Sequence, residues 1–205
     1  MRILVVTGGI GSGKSLVCRK LMECYGIPVY EADRKVKMLY AESPSMLDDI
    51  EHALGVRLRD ENGCFVPALL ADIIFTDKDA LSKVEQIIFP YLIEDFNQWA
   101  SETKCEVVAF ESATVLEKSQ FEGFGDIVLL IDAPQSLRLS RVSQRDALDD
   151  SKVLERMSAQ PLMNAISGGA FCERVDHVII NDSGVAVLDE KIGQFIEKYG
   201  LTKML

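Results

Sequence analysis

The chain has 205 residues, of which 48% are hydrophobic and 26% are charged, so it is long and apolar enough to form one folded domain. Its net charge of −10 argues against broad binding to nucleic acid or to anionic membranes, since both require an electropositive face. The N-terminus lacks the long apolar region of a signal peptide or membrane span, and the five cysteines are scattered, so we expect a cytoplasmic protein. No two cysteines form a Cys-x-x-Cys pair, so we expect no zinc site.

The chain opens with a pattern typical of a strand, a glycine turn, a helix and a second strand. Residues 3–7 are a continuous apolar run, which is typical of a strand that is buried on both faces. A helical pattern follows over residues 14–24, and Gly26 and Pro28 end it. The second strand is short, at residues 29–30.

The next stretch of the chain shows almost no strand signal. Helical patterns appear at residues 33–41, 45–54, 67–74 and 78–101. A helical block between two strands of an α/β protein is an insertion. An insertion at the carboxyl ends of the strands is well placed to grip a substrate.

Strand character returns in three apolar runs in the second half of the chain. These runs are residues 106–110, 127–131 and 177–180. Helical stretches alternate with them at residues 135–147, 149–158 and 185–198. The alternation predicts an α/β fold in which a five-stranded parallel sheet carries helices on both faces.

The first glycine turn has the pattern Gly-x-x-x-x-Gly-Lys-Ser at residues 8–15. Glycines let successive N–H groups face phosphate oxygens, Lys14 can reach the β- and γ-phosphates, and the Ser15 hydroxyl can ligate Mg²⁺. A glycine turn without a ligand is the alternative, but this pattern follows a predicted strand and opens a predicted helix, as a phosphate-binding loop should. We therefore predict contacts with a nucleoside triphosphate from Gly9, Gly11, Ser12, Gly13, Lys14, Ser15 and Leu16. The loop alone does not distinguish a kinase from a GTPase or an ATPase.

Asp33 follows the second predicted strand, at the edge of the sheet where α/β proteins bind ligands. Its carboxylate could orient or deprotonate an acceptor hydroxyl. The alternative is a helix N-cap, because a helical pattern begins beside it. The residue pattern leaves both interpretations open.

Several segments together resemble the dephospho-CoA kinase family, a family of P-loop kinases. The segment 7–15, with Asp33 in Glu31-Ala32-Asp33, is the most specific resemblance. Downstream, Arg141-Val142-Ser143-Gln144-Arg145-Asp146, Arg156-Met157-Ser158-Ala159-Gln160 and the stretch 175–182 are similar to further family motifs in the right order. The family transfers the γ-phosphoryl group of ATP to the ribose 3′-hydroxyl of dephospho-CoA, the last step of coenzyme A biosynthesis.

The resemblance implies a division of the chain and a set of roles. It implies a single P-loop kinase domain over residues 1–205, with a core of about 1–32, 105–146 and 175–205, a helical substrate-binding insertion of about 33–104 and a lid of about 147–174. Lys14, Asp33 and Arg145 would be catalytic, while Thr7, Asp33 and Glu111 would contact the acceptor. The partners would be ATP with Mg²⁺ and dephospho-CoA, and we expect a monomer.

Alternative roles remain for the arginines and for Glu111. Arg141 and Arg145 lie four residues apart on one helical face and could instead pair with Asp146 or Asp149. Glu111 could be an ordinary solvated acid at a strand end. In the functional interpretation, Arg145 stabilises the transferring phosphoryl group and Glu111 is a carboxylate that orders magnesium.

Departures from the family pattern keep two other functions open. Phe89-Pro90 stands where the family usually has His-Pro, the stretch 111–117 lacks the usual proline, and residues 162–169 make the lid longer and less basic. One alternative is another small-molecule P-loop kinase. The other is a catalytically weak ATP-binding regulatory protein.

Overall fold

A computed structural model describes residues 1–201, so residues 202–205 of the predicted core lie outside the described residues. Its strands are β1 (Arg2–Thr7), β2 (Val29–Glu31), β3 (Val107–Glu111), β4 (Ile127–Asp132) and β5 (His177–Ile180). They form one sheet in the order β2-β3-β1-β4-β5, and every pairing is parallel. The predicted five-stranded parallel sheet is confirmed.

The helices fall close to the predicted positions. They are α1 (Lys14–Tyr25), α2 (Ala32–Glu42), α3 (Pro44–Leu54), α4 (Pro67–Thr76), α5 (Lys78–Thr103), α6 (Gln135–Asp146), α7 (Asp150–Ser158), α8 (Pro161–Ser167) and α9 (Val185–Tyr199). Helix α8 and a short 3₁₀ turn at Ser119–Phe121 are additions that the sequence pattern did not predict.

The chain divides into two compact units. The first comprises Met1–Glu31 and the described residues from Lys104 onward, and it contains the whole sheet. The second comprises Ala32–Thr103 and contains helices α2 to α5. The division follows from the sequence, because the continuous apolar runs that build a buried parallel sheet are absent between β2 and β3.

One face of the sheet packs on α1 and α9. Helix α9 is amphipathic and buries Leu188, Ile192, Phe195 and Ile196 in a cluster with residues of β1 and β4. Helix α1 contributes Val17, Cys18 and Leu21 to the same cluster. These contacts hold the start of α1 against the end of β1, where the glycine turn lies.

The strand register brings three strand ends into one row. Glu111 at the end of β3 is paired with Val6 of β1 on one side and with Glu31 of β2 on the other. The turn after β1 and the last residues of β2 and β3 therefore share the carboxyl edge of the sheet. That edge is where an open parallel sheet binds its ligand.

The helical unit is organised around α5. This helix buries Ala80, Val84, Ile88, Leu92, Phe96 and Ala100, which recur every fourth residue along a single stripe. Phe89 and Pro90 lie inside α5. The helix continues past the proline to Thr103, even though proline cannot donate a backbone hydrogen bond.

The sheet core makes a stability prediction. Leu129 in β4 is fully buried in the cluster beneath α9, whereas Val178 on the edge strand β5 is exposed. Leu129→Ala should lower the free energy of unfolding by about 3 kcal/mol, since it removes buried methyl groups and leaves a cavity. Val178→Ala, as the matched control, should change it by less than about 1 kcal/mol. Urea unfolding followed by circular dichroism measures both, and equal losses would contradict this packing.

Candidate active site

The glycine turn after β1 forms a loop whose shape depends on left-handed backbone. Gly8, Gly11 and Gly13 have φ angles of 149°, 79° and 102°, a region that other residues rarely occupy. Gly13 is also the N-cap of α1, and no side chain caps that end of the helix. The positive end of the α1 dipole therefore lies at the loop without a capping side chain, which favours an anion there.

Hydrogen bonds from outside the loop hold its carbonyl oxygens. Arg138 of α6 donates from Nε to the Ile10 carbonyl at 3.0 Å, and Asn181 donates from Nδ2 to the Ser12 carbonyl at 2.9 Å. In a trans peptide the N–H points opposite to the C=O. The N–H groups of Gly11 and Gly13, which share these two peptide planes, therefore point away from the donors, as a phosphate-binding loop requires.

Lys14 is anchored within the same unit. Its Nζ donates to the Gly8 carbonyl at 2.8 Å and lies 3.9 Å from Oε1 of Glu111. Glu111 therefore faces the loop lysine and is not an isolated solvated acid. Ser15 lies in the first turn of α1 with an exposed side chain, where its hydroxyl is accessible.

Two hydroxyl groups near the loop are fully buried. The side chains of Thr7 and Ser12 have no exposed surface, and neither hydroxyl has a hydrogen-bond partner within residues 1–201. Ser12 can still contribute its backbone. The predicted contact between Thr7 and the acceptor requires that side chain to become accessible, and it stays a prediction.

The two arginines of α6 have different surroundings. Arg141 donates to the carbonyls of Gly11 at 3.4 Å and Asn181 at 3.1 Å, which are backbone oxygens in and beside the loop. Arg145 is 61% exposed and binds Asp146 with two nitrogens, at 2.7 and 3.0 Å. The alternative pairing with an aspartate is therefore present for Arg145, whereas these contacts of Arg141 are with the backbone.

Asp146 is shared between two guanidinium groups. Nη1 of Arg156, on α7, lies 3.2 Å from Oδ2 of Asp146, which also accepts from Nη2 of Arg145. The hydrogen bond from Arg145 holds the pKa of Asp146 below its ordinary value, and it raises the pKa of Arg145. The ion pair therefore persists at pH values where an isolated aspartate would begin to take up a proton.

Asp33 belongs to the helical unit. Helix α2 begins at Ala32, so Asp33 lies inside its first turn and not at the capping position before it. Its side chain is exposed, and a carboxylate in a first turn is favoured by the helix dipole. Along the chain it comes two residues after Glu31, the end of β2.

The structure adds three residues to the site that received no role from the sequence. Asn181 directly follows β5, and a polar residue at a strand end is a signal that could have indicated it. Arg138 and Gln160 contact the loop residue Ile10 through their side chains. No local pattern indicates these contacts, because the partners are more than a hundred residues apart in the chain.

Residues 1–201 contain neither a candidate membrane-spanning helix nor a candidate metal-binding cluster. None of their helices combines the length and apolar character needed to cross a membrane. Within the same residues, no group of three or more histidine, cysteine, aspartate or glutamate side chains is arranged to hold a metal ion.

Comparisons with known proteins agree with this geometry. A family model described as dephospho-CoA kinase matches residues 2–186. A dephospho-CoA kinase of Porphyromonas gingivalis is 37% identical over 176 residues, which cover 86% of this chain and 84% of the relative.

Two solved structures share the fold. The crystal structure of TT1252 from Thermus thermophilus has a TM-score of 0.79 at 26% identity and covers 98% of both chains. A dephospho-CoA kinase from Campylobacter jejuni has a TM-score of 0.62 at 22% identity, with 96% of each chain covered. The predicted P-loop kinase fold is confirmed.

The crowded backbone at Gly13 makes a prediction about nucleotide binding. A Cβ atom on Gly13 would lie 2.2 Å from Nδ2 of Asn181, and its φ is left-handed. Gly13→Ala should therefore weaken MgATP binding at least about tenfold, measured by calorimetric titration. Gly26→Ala is the control, because Gly26 ends the same helix with a left-handed φ but has open space around it. Weakening of binding by both variants to the same degree would show that helix stability, not loop shape, is responsible.

Proposed function

This chain belongs to the dephospho-CoA kinase family, and we propose that its loop at residues 8–15 holds ATP while Asp33 presents the acceptor hydroxyl. Family membership makes it an ATP-dependent kinase that acts on a hydroxyl group, in the last step of coenzyme A biosynthesis. The γ-phosphoryl group passes to the ribose 3′-hydroxyl of dephospho-CoA, and ADP leaves. The roles of the individual residues are our proposal.

The row of strand ends is the observation that carries this proposal. Val6, Glu111 and Glu31 are level across the sheet, so the chain enters the loop and α2 from the same edge. Helix α2 starts directly after Glu31, and Asp33 is its second residue. A donor loop after β1 and an acceptor-orienting carboxylate after β2, on strands separated only by β3, suit a kinase better than a protein that only binds ATP.

The chemical step depends mainly on position and charge. Asp33 accepts the proton of the acceptor hydroxyl or orients that hydroxyl for in-line attack on the γ-phosphorus. Lys14 balances charge on the β- and γ-phosphates, and Arg145 stabilises the equatorial oxygens after it leaves Asp146. The P–O bond to the leaving ADP breaks as the bond to the 3′-oxygen forms.

We assign Mg²⁺ to Ser15. The exposed hydroxyl at the start of α1 is a hard oxygen donor, and Mg²⁺ prefers one or two protein oxygens together with phosphate oxygens and water. When bound, the ion supplies positive charge against the phosphates. Glu111 is held beside Lys14 and serves to orient that lysine.

Residues 147–174, which contain α7 and α8, are proposed as a lid. Helix α7 packs on α6 through Val153 and Met157, which form a small apolar cluster with Val142. A mobile cover that excludes water would limit transfer of the phosphoryl group to water. When the lid closes, Arg145 would leave Asp146 and bind the transferring phosphoryl group.

We propose that the acceptor's pantetheine arm lies in a cavity of the helical unit. The cavity holds about 740 Å³, and its wall includes Lys37, Tyr40, Leu47, Arg59, Phe65 and Leu70. Lys37 is one helical turn beyond Asp33 on α2, so a cation and then an apolar wall follow the proposed base along one face. An acceptor with a ribose, a pyrophosphate and a flexible arm of methyl, methylene and amide groups matches that order.

We further propose that the enzyme acts in the cytoplasm. All five cysteines are free thiols in the structure, which suits a reducing compartment.

Asp33 gives the first test of the mechanism. Asp33→Asn should lower kcat by roughly a hundredfold or more while the Kd for MgATP stays nearly unchanged, because it removes a proton acceptor and no ATP contact. A coupled assay of ADP release with dephospho-CoA measures turnover. Glu42→Gln, at the other end of α2, is the control and should keep its rate. Near-normal turnover in Asp33→Asn would reject Asp33 as the base.

Arg145 gives the second test. Arg145→Ala should lower kcat by roughly a thousandfold, as expected for an arginine that stabilises the transferring group. Asp146→Asn is the matched variant, because it releases Arg145 from its ion pair but keeps the guanidinium group. Single-turnover kinetics should therefore show a far smaller effect for Asp146→Asn. Equal losses in the two variants would indicate that the ion pair itself, and not the freed arginine, supports activity.

A further inference from the structure

Ile10, at the tip of the phosphate-binding loop, has both of its backbone polar groups held by distant side chains. Its N–H donates to Oε1 of Gln160 at 2.9 Å, and its C=O accepts from Nε of Arg138 at 3.0 Å. We propose that Arg138 and Gln160 are positioning residues that set the shape of the loop for MgATP. The proposal rests on the ATP-binding role of the loop and goes beyond the reaction described above.

Arg138 is an unusual residue to bury for packing alone. Its side chain is 1% exposed, and its Nη2 has no hydrogen-bond partner among residues 1–201. Burial lowers the pKa of its guanidinium, and the carboxylate of Asp132, 3.8 Å from Nη1, opposes that shift. An apolar side chain would fill the same space without leaving a donor unsatisfied. An apolar residue could supply none of the polar contacts of Arg138, and the one that reaches the loop is the hydrogen bond from Nε to the Ile10 carbonyl.

Gly9 is matched to Arg138. A Cβ atom on Gly9 would lie 2.2 Å from Nη2 of Arg138. The φ of Gly9 is not among the positive angles that Gly8, Gly11 and Gly13 adopt, so its backbone conformation alone does not require glycine. The guanidinium therefore occupies the space that a side chain at position 9 would need.

Gln160 joins the loop to the beginning of α8. It is 8% exposed, precedes α8 and also donates from Nε2 to the Ala113 carbonyl at 3.4 Å. Glu117 Oε1 caps the same helix end by accepting from the N–H groups of Leu162 and Met163, at 3.1 and 3.2 Å. The start of α8 thus has two anchors, and only the Gln160 anchor touches the loop. A displacement of α8 would change the hydrogen bonding of Ile10.

The two anchors allow a matched experiment. Gln160→Leu removes the acceptor for the Ile10 N–H, whereas Glu117→Ala removes the cap of α8 and leaves the loop contact. Calorimetry should show the Kd for MgATP raised about tenfold by Gln160→Leu and changed less than about twofold by Glu117→Ala. The KM for dephospho-CoA should stay near the wild-type value in both. A similar fall in Tm would show that the two variants disturb α8 equally.

Arg138 is tested through Gly9. Arg138→Met should raise the Kd for MgATP about tenfold. Ser167→Ala should not, because it removes the 3.3 Å contact of Nη1 and a 2.8 Å hydrogen bond to Asp132 but no contact with the loop. Gly9→Ala should weaken binding in the wild type. It should weaken binding much less in the Arg138→Met background, where the guanidinium is gone.

The outcomes decide between positioning and simple structural support. Unchanged MgATP affinity in folded Gln160→Leu would overturn the proposal, as would equal effects of Gly9→Ala in both backgrounds. If Arg138→Met does not fold, Gln160→Leu against Glu117→Ala decides alone. Because binding is measured without the acceptor, the two proposals can fail separately. A wild-type protein that binds MgATP but does not phosphorylate dephospho-CoA would count against the proposed function alone, and unchanged MgATP affinity in Gln160→Leu would count against the positioning role alone.

Discussion

The orientation of a few peptide groups is the constraint on which the rest of this protein depends. A phosphate-binding loop must point its N–H groups toward the phosphates. In a trans peptide the carbonyl then points the opposite way, so that carbonyl needs a hydrogen-bond donor on the far side of the loop. Here Arg138, Arg141 and Asn181 supply donors to those carbonyls. Arg138 and Arg141 come from α6, and Asn181 directly follows β5. The loop therefore depends on the central position of β1 in the sheet, beside β4, which precedes α6 in the chain and pairs with β5.

The same arrangement explains how an acidic protein can bind a polyanion. The chain carries a net charge of −10, yet Lys14, Arg138 and Arg141 are gathered around one loop. Local cations and oriented amides determine the field at such a site, and the average charge does not. All three of these cations donate to backbone oxygens. They therefore determine the conformation of the loop as well as the electrostatic potential around it. Arg145, in contrast, forms an ion pair with Asp146.

Most of the fold could be predicted, and the exceptions have physical causes. The strands and long helices were predicted to within one or two residues, since each carries its own hydrophobic period. Helix α8 was missed because its seven residues are too short to show a period, and its start is capped by Glu117, a residue from another part of the chain. The loop at 8–15 was predictable because its glycines and Lys14 act through local backbone geometry. Asn181, Arg138 and Gln160 received no role, since their partners are distant in sequence.

The sequence by itself determined the parallel sheet, the helical insertion, the phosphate-binding loop and the family, because periodicity and turn chemistry are local properties of the chain. Only the tertiary structure decided which partners the charged groups have. It set Glu111 beside Lys14, gave Arg141 to the loop carbonyls and Arg145 to Asp146, and buried Arg138 against Gly9. Such pairings follow from the strand register and helix packing, which bring together residues that no local pattern connects.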